Sequence, residues 1–158
     1  MGSGATVELP RPAARLAGRV VDIFIVGFAW LALYLAWAAA TGADAVGADG
    51  TLAVGQLGLM ALWAVVDGGY EVTLIALRGR TPGKRWAAIR VISRRSGAVP
   101  GWSRAFRRWA VPYALGLVLS FVPYLGGALS LLCYVSLTWD RDRQGWHDKA
   151  AGTLVTRA

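Results

Sequence analysis

The chain has 158 residues, 56% of them hydrophobic, with a mean hydropathy of +0.46 and a net charge of +8. That length suits one domain, and that hydropathy exceeds what a soluble domain usually shows. On a soluble protein such a charge would suggest nucleic acid, but these cations sit in blocks beside apolar runs, so anionic lipid headgroups are the simpler partner and nucleic acid is set aside.

Residues 1–12 are rich in Gly, Pro and Ala and read as a disordered tail. Arg15, Arg19 and Asp22 follow at i, i+4 and i+7, one stripe of a helix. Ile23 to Ala40 is then free of charge and, with its flanks, long enough to cross a bilayer. The first apolar run starts late and is too long for a cleavable signal peptide. The link Thr41 to Thr51 has Asp44 and Asp49 but no basic residue, as an external loop should. The second apolar run, Leu52 to Leu77, is interrupted by Asp67-Gly-Gly-Tyr70-Glu71, which puts Asp67 and Glu71 on one helical face.

Arg78 to Arg108 comes next, with ten Lys or Arg residues and no acidic one. A basic block between apolar spans is what the positive-inside rule expects of a cytoplasmic loop. Within it, Trp86 to Ser93 alternates like a short strand, Ser96-Gly97 reads as a turn, and Ser103 as the N-cap of a basic amphipathic helix. Lys84, Arg85, Arg104, Arg107 and Arg108 are expected at lipid headgroups. Gly79-Arg-Thr-Pro-Gly-Lys84 is not a phosphate loop, because its glycine spacing is short and Arg85 stands where a Ser or Thr is needed. Thr81-Pro82 instead starts a short segment.

From Trp109 to Trp139 no residue is charged, and one straight helix of that length would measure ~46 Å, too long for a ~30 Å core. Pro123 and Gly126-Gly127 break it, which predicts a helical hairpin. A single kinked span with an external tail is the alternative. The hairpin returns the tail, Asp140 to Ala158, to the cytoplasm and leaves all 17 Lys and Arg residues on one side. Trp102, Trp109, Trp139 and Trp146 read as interfacial belt anchors, and Ile89–Ile92 with Leu154–Thr156 as a minor strand pair.

Three pieces carry a resemblance: Arg15-x6-Asp22; Gly79-Arg-Thr-Pro-Gly-Lys84-Arg85 followed by Ile89-Arg-Val91; and Arg143-Gln-Gly-Trp-His147-Asp148 running on to Gly152-Thr153. Their order and spacing resemble the RDD family of small membrane proteins, over about residues 13 to 157. By the family's pattern Arg15 is the arginine, with Arg19 a second candidate, and Asp22 and Asp148 are the aspartates. The resemblance implies a multi-span helical membrane domain. Cation/proton antiport has been proposed for some members.

The residues admit two readings at each charged cluster. Arg19 and Asp22 could form an interfacial i, i+3 pair, or Asp148 could join the basic stripe and clamp the tail onto the first helix. Asp67 and Glu71 could hold a proton or cation, or Glu71 could pair with Arg78 or Arg80 while Asp67 faces a neighbouring helix. His147 has no nucleophile beside it in sequence, and one histidine with a lipid-facing Cys133 makes no metal site.

The expectation is therefore an all-α integral membrane bundle, with two full spans (about 20–41 and 52–77) and a short hairpin (103–122 and 125–139). It carries no cofactor and no enzyme activity. Both termini lie on the cytoplasmic side of the plasma membrane. Its partners are anionic lipid and another membrane protein or a second copy. It acts as an accessory module or, alternatively, as a small cation/proton transporter.

Overall fold

The computed structural model describes residues 8–41, 56–118 and 125–158. Six helices and one strand pair make up this part: α1 (Pro12–Thr41), α2 (Gln56–Arg78), α3 (Pro82–Trp86), β1 (Ile89–Ser93), α4 (Trp102–Val118), α5 (Leu125–Val135), α6 (Trp146–Ala151) and β2 (Thr153–Arg157). The expected external loop with Asp44 and Asp49, the start of the second run and Pro123 lie outside the described residues.

α1 is 30 residues long, ~45 Å at 1.5 Å per residue. Among the described residues it is the one helix long and apolar enough to cross a membrane, and only 17% of its most apolar window is buried. Phe24, Phe28, Leu31 and Leu35 recur at i, i+4, i+7 and i+11 and stand exposed, a stripe that water would not tolerate but lipid would. The opposite face turns Asp22, Val26, Tyr34 and Ala38 inward.

α1 packs on α2 and α3, α2 on α4, and α4 on α5 and α6. Ser130 Oγ donates to the carbonyl of Pro112 at 2.8 Å, tying α5 to α4. Gly126 and Gly127 belong to the first turn of α5 and do not separate the arms, as their spacing had suggested. β1 and β2 pair antiparallel with Val91 opposite Val155, which includes the expected residues 89–92 and 154–156. Ile75 and Ala76 of α2, Ala105 of α4, Ile89, Val91 and Val155 make a small apolar core beneath this sheet.

Several local expectations change. The strand begins at Ile89, not Trp86, because Thr81 caps α3 (its Oγ1 accepts from Lys84 N at 3.3 Å) and Pro82 opens it, so Trp86 ends a helix. Ser103 is not the cap of α4: the helix starts one residue earlier, and Ser103 Oγ accepts from Arg107 Nη2 at 2.9 Å. Residues 8–12 are ordered. Glu8 O accepts from Arg157 N at 3.0 Å, and Pro10 O from Arg143 Nη1 at 3.1 Å, so the two ends of the described chain meet.

Candidate functional site

The polar stripe of α1 is divided among three partners. Arg15 Nη1 reaches Asp148 Oδ2 of α6 at 3.1 Å, the tail-to-helix contact. Arg19 Nη1 meets Glu71 Oε2 of α2 at 2.6 Å and lies 3.9 Å from Asp67 through Nη2. Asp22 turns to α3. Its carboxylate accepts from Thr81 Oγ1 at 2.5 Å, Tyr70 OH at 2.7 Å and Gly83 N at 2.9 Å, with Lys84 Nζ at 3.5 Å. The expected Arg19–Asp22 pair is therefore absent. Three neutral donors and Lys84 occupy the Asp22 carboxylate, while Arg19 extends towards α2.

Lys84 and Arg108 carry the network inward. Glu71 Oε1 accepts from Lys84 Nζ at 3.3 Å and Arg108 Nη1 at 3.1 Å. Arg108 Nε also binds Asp148 Oδ1 at 2.8 Å. Both cations are buried, so neither stands at a lipid headgroup as expected; the carboxylates of three helices draw them inside. Arg85 and Arg107 remain exposed and Arg104 half-buried. Glu71 does not pair with Arg78 or Arg80, which point outward, because α3 folds back and brings Lys84 to it.

The result is one connected network of four cations (Arg15, Arg19, Lys84, Arg108) and four carboxylates (Asp22, Asp67, Glu71, Asp148). It spans α1, α2, α3, α4 and α6 and balances to zero. Charges removed from water require such partners, or they protonate or unfold the site. At its centre lies a cavity of about 40 Å³ bounded by Arg19, Glu71, Lys84, Arg108 and His147. That is room enough for an ordered water among polar groups.

Two glycines let the backbones approach. A Cβ on Gly83 would strike the carbonyl oxygen of Gly18 and come within 2.7 Å of Asp22 Oδ1. One on Gly68 would meet the Trp109 ring at 2.9 Å. That ring, expected at the membrane belt, is half-buried and donates from Nε1 to Asp67 Oδ2 at 2.8 Å. Trp102, Trp139 and Trp146 are exposed.

Cys133 and His147 meet, which their separation in sequence did not reveal. His147 Nδ1 is 3.6 Å from Cys133 Sγ and 3.3 Å from its carbonyl oxygen, and Cys133 is fully buried, not lipid-facing. Burial lowers the pKa of His147 to about 4, so its ring is neutral at pH 7. Burial opposes the charge of Asp148, but the neighbouring His147, Arg108 and Arg15 outweigh it and hold this carboxyl below the ordinary carboxylate range. Among the described residues no group of three or more His, Cys, Asp or Glu could hold a metal ion. Tyr70, Thr81, Trp109 and Tyr134, whose ring lies 5.4 Å from the Arg19 guanidinium carbon, are partners that periodicity alone does not mark. Only Thr81-Pro82, as a helix start, gave a signal.

The family model for the RDD family matches residues 9–152, which takes in every residue of the network. The chain belongs to the RDD family. It is accordingly a small membrane protein, and α1 is its candidate span. In this RDD protein the arginine at 15 and the aspartate at 148 touch. The aspartate at 22 reaches them only through Lys84, Glu71 and Arg108. No curated protein and no solved structure matched the chain.

Proposed function

We propose that this RDD-family protein is a non-catalytic membrane module that assembles with other membrane proteins, its charged layer serving as a rigid platform. The observation that carries the reading is the balance of four cations, Lys84 and Arg108 buried and Arg15 and Arg19 half-buried, against four buried carboxylates. A site that cycles protons or cations needs a carboxylate free to change state, and Asp22, Glu71 and Asp148 are each held by close donors. Cys133 and His147 are enclosed, with 0% and 3% exposure, and offer a substrate no nucleophile. Four membrane segments, with both termini on the cytoplasmic face of the plasma membrane, complete the reading. The contact of Glu8 with Arg157 supports a shared side for the termini, and the exposed Arg85 and Arg107 suit a surface of anionic headgroups.

Purification from native membranes in mild detergent tests it. A stoichiometric foreign membrane protein supports the module, and its absence together with ion flux in vesicles refutes it. For topology, a Lys149→Cys variant should resist labelling from outside intact cells. One observation favours transport as the second reading: Asp67 has its nearest cation at 3.9 Å and is otherwise held by an indole. On that reading Asp67→Asn abolishes salt-dependent proton flux in vesicles, and unchanged flux refutes it.

A further inference from the structure

The charged layer is closed unevenly. The side chains of Glu71, Lys84, Arg108 and Asp148 are 8% accessible or less, whereas that of Arg19 is 26% accessible. Arg19 lines two spaces at once. One is the cavity of about 40 Å³ at the centre of the network, and the other is a cleft of about 520 Å³ that opens outward between α1 and α5. Arg15, Tyr134 and Leu137 also line both, so these four side chains are the wall between the charged interior and the outside.

Three of the four are pinned. Arg15 binds Asp148, and Arg19 binds Glu71. Leu137 is 9% exposed in the short helical turn Ser136–Thr138 that follows α5, where Ser136 Oγ donates to the carbonyl of Cys133 at 2.8 Å. Tyr134, in the last turn of α5, is held differently. Its hydroxyl makes no hydrogen bond among the described residues. Ring contacts alone hold it, 5.4 Å from the guanidinium carbon of Arg19 and 4.8 Å from the His147 ring at a tilt of 49°. A side chain held in this way can change rotamer while the backbone stays in place.

We infer that Tyr134 is the gate of the charged layer. With its ring over Arg19, the cavity is cut off from the cleft. When the ring swings away the two spaces join, and water and small ions reach Glu71, Lys84 and Arg108. Closed, the gate keeps the ion pairs in a medium where they attract strongly; open, it lets dissolved ions screen them. This goes beyond the assembly role, since a module and a transporter could each carry such a gate.

Hydroxyl-radical footprinting of the purified protein in detergent tests it. His147, which lines the cavity, is the reporter, and its exposed neighbour Trp146 is the reference. Wild-type His147 should be oxidised slowly. A minor open state is populated at about 0.1–10%, so Tyr134→Ala, which leaves the way open, should raise that rate by about tenfold or more with Trp146 unchanged. Tyr134→Phe keeps the ring and should behave as the wild type. Leu131→Trp fills the cleft away from the ion pairs and should slow oxidation of His147 in the otherwise wild-type protein; it decides the matter if the alanine variant does not fold. Melting gives a second readout that loss of packing alone would not move. Between 50 mM and 500 mM NaCl, Tyr134→Ala should lose about 2–4 °C, whereas Val155→Ala, cut into the apolar core, should respond as little as the wild type. An unchanged His147 rate in Tyr134→Ala or in Leu131→Trp overturns the gate. So does a rate in Tyr134→Phe as high as in the alanine variant, or the same salt response in Tyr134→Ala and Val155→Ala.

Discussion

Asp148 has the highest stakes of any single side chain in the molecule. It is fully buried, accepts from two arginines, and its Oδ2 also accepts from Gly145 N at 3.2 Å at the start of α6. Asp148→Asn keeps the shape and removes the charge, leaving Arg15 and Arg108 short of a counter-ion. Breaking a buried pair in this way costs about 3–5 kcal/mol, to be read from denaturation midpoints in detergent. Next to it, His147 sets an acid limit. Its folded pKa of about 4 lies below the ordinary 6.5, so the unfolded chain takes up its proton first as the pH falls. The stability from its neutral ring is complete above about pH 6.5 and drains away towards pH 4. Asp148, held low, loses its own contribution further down, as the pH falls below the ordinary carboxylate range. Melting temperatures taken between pH 7.5 and 5 should fall in the wild type, and the slope should flatten in His147→Gln.

α1 and α3 meet through close backbone approach, at Gly18 and Gly83. α3 is only five residues long, yet it holds Asp22 with a cap hydroxyl, a backbone N–H and a lysine. Gly83→Ala pushes α3 off α1 and should destabilise the fold by about 1–3 kcal/mol, the usual penalty of overpacking. Fluorescence-monitored unfolding of the two proteins side by side checks this. How much of this was legible depends on the range of the signal. The long apolar run of α1, the β1–β2 pairing and the Arg15–Asp148 contact could be read, the first two from local pattern and the third from the motif. The Arg19–Asp22 pair and the headgroup role of Lys84 and Arg108 were misread because a count of charges along the chain says nothing about which cations fold inward. Lys84 looks like its neighbour Arg85 in sequence. It differs only by its position on a single helical turn.

At the scale of the molecule, the interior holds two kinds of cohesion, a small apolar core under the sheet and a larger charged one between the helices. Such charges are shielded from dissolved ions, unlike the exposed pairs Arg94–Asp142 and Arg157–Glu8. The melting temperature should therefore change little between 50 mM and 500 mM NaCl. A steep fall with salt would mean that surface pairs carry the stability. Every helix except α5 supplies a charge to the network, and α5 contributes the Tyr134 ring against Arg19, so losing any one of them exposes the rest to an unbalanced neighbour.

The tie between Arg15 and Asp148 has a consequence for biosynthesis. The two residues are separated by 133 positions, so the first helix emerges from the ribosome long before its counter-ion has been translated. Until then Arg15 must remain hydrated or borrow lipid phosphate. A nascent chain that stops ahead of the last helix leaves Arg15 without its carboxylate. Closure of the polar interior therefore waits on the last helix, whose Asp148 is the shared partner of Arg15 and Arg108.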